Sequence, residues 1–297
     1  MALTSEQVEA YERDGFVIVE DMFTDDDLIP VTDEINRWID ERAQRLKSQN
    51  KLESLCQGQP FETRYAALFA QCDEIGQGMD IPQIGGEAMF AFLGNESLLD
   101  AVDTIVGPEI TCNPIQHLRA KVPERLIRGR SYLQQTPWHQ DAAVTWAEAD
   151  PTNIMTVWIP LVDAMVERGC VQALPGVHMR GHMDHKSKGG TTIVPEQFPR
   201  GIAPVSAEVP RGGAILMSKY TPHHTLPNKS DVVRWSLDLR YQPNWQPTGR
   251  PFHPEFIVRS PSKPDQVLSD PELWRQLWQD AFQDNKAAGK SAHRTIY

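Results

Sequence analysis

From about Thr111 onward the chain breaks into short apolar runs separated by Pro and Gly, and this rhythm does most to narrow the fold. The runs are Ile110-Thr111-Cys112, Asn153 to Val162, Gly213 to Met217 and Val232 to Tyr241, punctuated by Gly189-Gly190, Gly212-Gly213 and Pro243. Short apolar runs between turn formers read as strands, and a series of them makes a sandwich or a barrel. The first hundred residues read differently. Thr4 to Arg13 predicts a helix, capped by Thr4 with Gln7 three residues on and closed by Gly15. Phe16 to Glu20 predicts a strand. A longer helix is expected from Asp25 to about Leu46, where Thr24 caps, three acidic residues suit the positive helix end and Pro30 is tolerable in the first turn. Its apolar stripe is Leu28, Val31, Ile35, Trp38, Ile39 and Leu46. Residues 50–85 have weak periodicity, Glu96 to Val106 predicts another helix, and PELWRQLWQDAFQDN a last one. With no internal repeat and no low-complexity linker, the expectation is one domain over residues 1–297. It is mainly β with flanking helices, and helical N-terminal (about 1–50) and C-terminal (about 271–285) elements pack on the β-core.

The 297 residues are 40% hydrophobic and 23% charged, enough apolar material for a core and too patterned for disorder. A formal net charge of −11 argues against nucleic acid and anionic membrane surfaces as partners. Cys56, Cys72, Cys112 and Cys170 are scattered, with no CxxC spacing, and read as reduced thiols. The polar N-terminus carries no signal-peptide pattern, and the longest apolar runs are too short to span a bilayer. The expectation is a cytoplasmic protein that acts on a small molecule, with a homo-oligomer left open.

The chemistry concentrates in Pro137-Trp138-His139-Gln140-Asp141. In an extended segment, side chains two apart share a side, so His139 and Asp141 can reach one ion while Gln140 faces away. A third ligand must come from a distant strand. Tyr220 to Thr225 follows the strand-like GGAILMS and offers both His223 and His224. Two His and one carboxylate leave positions open on an octahedral metal, the set used by non-haem Fe(II) oxygenases. Arg234, 11 residues after His223, offers a fixed fork for a dicarboxylate. A second group, His178, His182 and His185, is interrupted by Gly181 and reads as a solvated loop near the site's rim. There is no GxxxxGK[ST], no strand-linked GxGxxG and no GxSxG, so phosphate-loop and nucleophile-elbow chemistries have little support.

These residues resemble the phytanoyl-CoA dioxygenase family of Fe(II)/2-oxoglutarate-dependent oxygenases. The resemblance runs through YERDGFVIVEDMF, LRAKVPE, WHQDAAV, MTVWIPLVDAMVERGCVQALPGVH and HHTLPNKSDVVRWSLDLRYQP, in order, over residues 8–243 with gaps. It implies a double-stranded β-helix, a jelly roll of cupin-like type. It also implies His223 over His224 as third ligand, since Asn228, Ser230 and Arg234 then fall in register. The implied roles are His139, Asp141 and His223 on Fe(II), Arg234 and Thr225 on the distal carboxylate of 2-oxoglutarate, and Trp158 and His117 lining the cosubstrate. The implied reaction uses O2 and 2-oxoglutarate to oxidise a C–H bond, releasing succinate and CO2. A carboxylate at Asp141 argues for hydroxylation or another oxygenase outcome, since halogenating relatives carry a small residue there. Arg125, Arg128 and Arg130 with Trp138 and Trp146 suggest that the 124–134 loop forms a lid over a carboxylated or polycyclic substrate. The alternatives are a cupin-like module that keeps a metal without turnover and a metal enzyme that ignores 2-oxoglutarate.

Overall fold

The computed structural model describes residues 1–127, 136–186 and 192–288. Its helices are α1 Ser5–Asp14, α2 Asp25–Ser48, α3 Phe61–Gln71, α4 Ile81–Ile84, α5 Glu87–Leu93, α6 Glu96–Val106 and α7 Pro271–Ala288. Its strands are β1 Phe16–Val19, β2 Ile110–Cys112, β3 His117–Lys121, β4 Met155–Pro160, β5 Val171–Ala173, β6 His185–Lys186, β7 Thr192–Ile193, β8 Val205–Ala207, β9 Ala214–Ser218, β10 His223–Thr225, β11 Arg234–Pro243 and β12 Phe256–Arg259. The capping logic of the N-terminus is realised as bonds. Gln7 N–H donates to Thr4 Oγ1 at 3.3 Å, Thr4 N–H donates to Gln7 Oε1 at 2.9 Å, and Gly15 closes α1 at φ 81°.

Residues 50–85 had offered little periodicity, yet α3 and α4 form there. The buried face of α3 is Arg64, Tyr65, Ala66 and Leu68, so a cation interrupts the apolar stripe. Arg64 is tolerated because it pairs with Asp40, and the Phe61 and Tyr65 rings pack on Trp235 at 5.0 and 5.1 Å. At four and seven residues, α4 and α5 are too short to print a helical period.

The major sheet is antiparallel in the order β1-β9-β4-β11-β2-β12, with β3 also paired to the long β11; the smaller sheet runs β10-β5-β8. A bridge between His139 and His223 extends the smaller sheet past β10. Two facing antiparallel sheets with helices outside make the double-stranded β-helix.

Strand alternation sorts the major sheet into two faces. Trp235, Leu237, Leu239 and Tyr241 of β11, with Val157 and Ile159 of β4, face the helices and join the stripe of α2 in the main core. The opposite face lines the space between the sheets, and it is divided. Phe16, Ile18, Ile215, Met217 and Trp158 pack with Val171, Ala173 and Ala207 of the smaller sheet. Further along, the same face carries Arg234, Ser236, Asp238 and Arg240 on β11, paired in register with Lys121, Arg119 and His117 on β3 for the first three and with Thr156 on β4 for Arg240. One half of the interior is therefore an apolar seal, and the other is a charged strip.

Candidate metal and cosubstrate site

Three segments bring the site together. His139 lies in the bridge beside β10, Asp141 opens the turn that follows, and His223 begins β10. One ligand atom from each of the three lies within 4.8 Å of the others, and among the described residues no other His, Cys, Asp or Glu group meets that condition. Backbone carbonyls fix both imidazoles. His139 Nδ1–H is shared between the carbonyls of Pro137 (2.8 Å) and His223 (3.0 Å), and His223 Nδ1–H donates to Thr221 O at 3.0 Å. Each ring thus keeps Nε2 as its free lone pair, the arrangement of a metal-ligating histidine with its outer nitrogen anchored. The rings sit 4.2 Å apart between centroids, and His139 Nε2 is 3.8 Å from Asp141 Oδ1.

Asp141 is held at both oxygens. Arg240 Nη2 donates to Oδ1 at 2.7 Å and the Thr156 hydroxyl donates to Oδ2. Burial alone would raise this carboxyl; Arg240, His223 and His139 outweigh it and keep the group well below the usual carboxylate range. A donor set of two neutral imidazoles and one carboxylate, with second partners already in place, fits a divalent transition metal.

Gln140 turns away from the triad and ties its loop down. Its Nε2 donates to Gly181 O (2.9 Å) and Tyr220 O (2.7 Å), and its Oε1 accepts from Met183 N–H (2.8 Å). The expectation of a solvated histidine loop is corrected for His185, while His182 is exposed. His185 is buried, its Nε2 accepts from Gln140 N–H at 3.0 Å and its Nδ1–H donates to Met183 O at 2.6 Å. His178 Nε2–H donates instead to Glu12 O at 3.1 Å. His185 alone of the second group braces the first ligand segment. His224 points to the other side of β10, bonded to Gln172 Oε1 at 2.9 Å and lying on Trp138 at 4.1 Å.

Burial, the largest cause in each case, pushes His139, His185 and His224 down to about 4. A folded value below the unfolded one near 6.5 means that the native state resists a proton the unfolded chain accepts. Stability of the metal-free protein should therefore be complete above about pH 6.5 and fall as the pH drops towards about 4, as urea midpoints at pH 7 and pH 5 would show. Equal midpoints would contradict buried neutral imidazoles.

Arg234 opens β11 and is buried. Its guanidinium carbon stands 5.1 Å over the Trp158 ring, its Nη1 donates to Ser236 Oγ at 2.6 Å, and its Nε has no hydrogen-bond partner among the described residues. A buried guanidinium with an orphaned N–H fits an incoming carboxylate. Thr225 lies on the same face of β10 as His223 and is also buried. Trp158 sits on the inner face of β4, between the apolar seal and the charged strip. The structure thus brings Arg234 and Trp158 together and puts Thr225 on the triad's strand.

His117 stands apart from that group. Its Nδ1 pairs with Asp80 Oδ2 at 2.8 Å, and its ring lines a cleft of about 200 Å³ with Asp80, Gln116, Arg250, His253 and Trp278. Sequence reading had passed over Thr156 and Lys121, although parity along β4 from Trp158 and along β3 from His117 puts both on the interior face. Of the lid residues, Arg125 pairs with Asp231 at 2.9 Å on the surface, while Arg128 and Arg130 lie outside the described residues.

Comparison with known proteins agrees with this architecture. The family model described as Phytanoyl-CoA dioxygenase (PhyH) matches residues 11–236. The phytanoyl-CoA dioxygenase domain-containing protein 1 homolog of Dictyostelium discoideum is 22% identical over 300 residues, covering 85% of this chain and 99% of that protein. Among solved structures, the apo form of the non-heme monooxygenase ThoJ superposes with a TM-score of 0.62 at 18% identity, over 95% of this chain and 94% of that one. The epimerase SnoN, in complex with Fe3+, alpha ketoglutarate and nogalamycin RO, gives 0.57 at 20% identity, over 90% and 91%. At these identities the structural likeness bears on the fold. No helix among the described residues is long and apolar enough to cross a membrane.

Proposed function

Because the chain belongs to the phytanoyl-CoA dioxygenase (PhyH) family, we propose that it is an Fe(II)/2-oxoglutarate-dependent dioxygenase that oxidises an unactivated C–H bond of a small molecule, hydroxylating it. The observation that carries the proposal is the pairing of two features on facing sheets. A buried His139–Asp141–His223 triad sits on one, and a buried Arg234 with an orphaned N–H on the other. A metal-binding module without cosubstrate has no use for that arginine.

His139, Asp141 and His223 would hold the iron, and Arg234 with Thr225 would take the distal carboxylate of 2-oxoglutarate. Trp158 would pack along the cosubstrate chain under the Arg234 guanidinium. The iron, with O2 and 2-oxoglutarate, supplies the oxidising power, with succinate and CO2 as coproducts. The chain contributes placement. Phe16, Ile18, Ile215 and Met217 exclude water from one side, and the backbone-anchored imidazoles keep both Nε2 atoms aimed at one point. The substrate approach that fits is the cleft at His117, whose ring senses the charge of Arg240 behind Asp141 and which ends in the aromatic wall of Trp278 and Phe282. The nogalamycin RO held by the similar SnoN supports a small organic substrate.

Anaerobic Fe(II) and 2-oxoglutarate together should give a weak visible charge-transfer band that neither gives alone. Arg234→Ala should keep the metal and weaken 2-oxoglutarate roughly 10²-fold or more, the loss of two charge-assisted hydrogen bonds at about 1.5–3 kcal/mol each. Succinate release would then screen substrates. A folded, iron-loaded protein without the band would return the site to metal binding or to a reaction that ignores 2-oxoglutarate.

A further inference from the structure

Lys121 is a second cation at the Arg234 end of the interior, and neither the metal triad nor the proposed cosubstrate contacts account for it. It ends β3 directly opposite Arg234 in the antiparallel register. Side chains so paired have Cβ atoms about 4.5–5.5 Å apart and share a face. Its ammonium donates to Thr225 Oγ1 at 2.9 Å, so it reaches from the major sheet to the strand that carries His223. Its stem is accommodated by a deliberate gap. A Cβ on Gly169, whose φ is +80°, would stand 2.9 Å from Lys121 Cε and 2.6 Å from Leu226 O. Two cations brought to one end of the interior, the half-buried Lys121 and the buried Arg234, both attract an anion that enters between the sheets.

We propose that Lys121 and Arg234 form a two-cation clamp for the distal carboxylate of 2-oxoglutarate, with Lys121 and Thr225 closing on the side opposite the guanidinium. This rests on the 2-oxoglutarate reading and adds a specificity residue to it. Arg234 supplies a planar fork, and Lys121 supplies a compact charge that approaches from the other strand. A 2-oxo acid lacking the distal carboxylate leaves both cations facing each other, so the clamp selects for dicarboxylates.

Electrostatics agrees with the geometry. Burial, and then repulsion from Arg234, lower Lys121 to about 7, while Glu124 pulls the other way. Among the described residues, Arg234 of β11, Glu124 after β3 and Thr225 of β10 face it, His224 acts on it from the other side of β10, and Arg119 of β3 and Cys170 lie near Arg234. The free site then holds the proton below about pH 7, and above it the dicarboxylate must bring a proton in. Affinity for 2-oxoglutarate should fall as the pH rises, by up to about tenfold per unit for one linked proton.

The test uses the full-length protein loaded anaerobically with Fe(II). 2-Oxoglutarate and 2-oxobutyrate are titrated against the charge-transfer band for wild type, Lys121→Met and Lys121→Arg. The clamp predicts that Lys121→Met weakens 2-oxoglutarate about 10-fold or more, the loss of one charge-assisted bond, and leaves 2-oxobutyrate within about twofold. Lys121→Arg should recover most of the affinity and flatten its pH dependence between about pH 7 and pH 9, since arginine stays charged. Unchanged 2-oxoglutarate affinity in Lys121→Met, or an equal loss for both acids, would overturn the clamp. Should Lys121→Met fail to fold, the arginine variant decides alone: a wild-type pH slope there overturns the proposal. A wild type that binds Fe(II) but gives no band with 2-oxoglutarate would instead remove the cosubstrate reading beneath it.

Discussion

His223→Ala should weaken metal binding roughly 10²–10³-fold while leaving the fold in place. The strand does not depend on the side chain. His223 N–H donates to His139 O at 2.9 Å and His139 N–H donates back to His223 O at 3.0 Å, both backbone bonds. The ring bonds the Thr221 carbonyl and lies against the His139 ring. Removing one of three ligands should cost roughly 10²–10³ in affinity, if the ~10–16 kcal/mol typical of a four-ligand zinc site is shared evenly. The thermal readout amplifies this. A metal at 1,000 times its Kd stabilises the native state by about 4 kcal/mol, and the variant at the same concentration should gain only about 0.4–1.4 kcal/mol. His224→Ala is the companion: its ring is committed to Gln172 and Trp138 on the other side of β10, so metal affinity should stay at the wild-type value. Titration of Mn(II) or anaerobic Fe(II) into the three proteins distinguishes them. A His223→Ala protein that binds as wild type does would mean that the third ligand has been misassigned.

Much of this site could be read from the chain because its chemistry follows strand parity. His139 and Asp141 are two apart in an extended segment, and the Arg234 fork sits a fixed distance beyond His223 on the next strand. Choosing His223 over His224 from residues alone was impossible, since both are strand-borne imidazoles; β10 separates them by turning one inward and the other onto Trp138. Lys121 and Thr156 escaped notice for a different reason. A lysine near the end of a short strand reads as an exposed edge charge, and only the pairing Arg234↔Lys121 places it, half-buried, beside the buried arginine. Thr156 lies in an apolar run where a hydroxyl is unremarkable, until β4 and β11 align it with Arg240. In the helical layer, α2 was legible because its stripe is long and its cap is strong. The short α4 and α5 were not, because tertiary contacts hold them in place of a periodic pattern. Glu34 of α2, for example, accepts from Met89 N–H at 2.8 Å at the start of α5.

Arg240→Met should give the largest loss of stability of any substitution near the site, and metal should repair part of it. Arg240 and Asp141 are both buried, joined at 2.7 Å. Removing one partner of a buried pair leaves an uncompensated charge and costs about 3–5 kcal/mol. Thr156 would still donate to the other oxygen, but a hydroxyl carries no countercharge. In the wild type, Arg240 neutralises the carboxylate before any metal arrives. In the variant the metal becomes the only cation on it, so binding should recover stability that the wild type already has. Urea unfolding without metal should show a deficit of about 3–5 kcal/mol, and saturating Mn(II) should narrow it. Linkage fixes a second consequence. If metal stabilises the variant more than the wild type, the variant must bind that metal more tightly by the same free energy, tenfold for each ~1.4 kcal/mol by which the gap closes. Arg240→Met and His223→Ala should therefore move metal affinity in opposite directions, although both touch the same triad. Adding Asp141→Asn to Arg240→Met removes the stranded charge, and metal-free stability should rise above that of Arg240→Met alone. A deficit of the same size with and without metal would show that Arg240 acts through packing and not through its charge on Asp141.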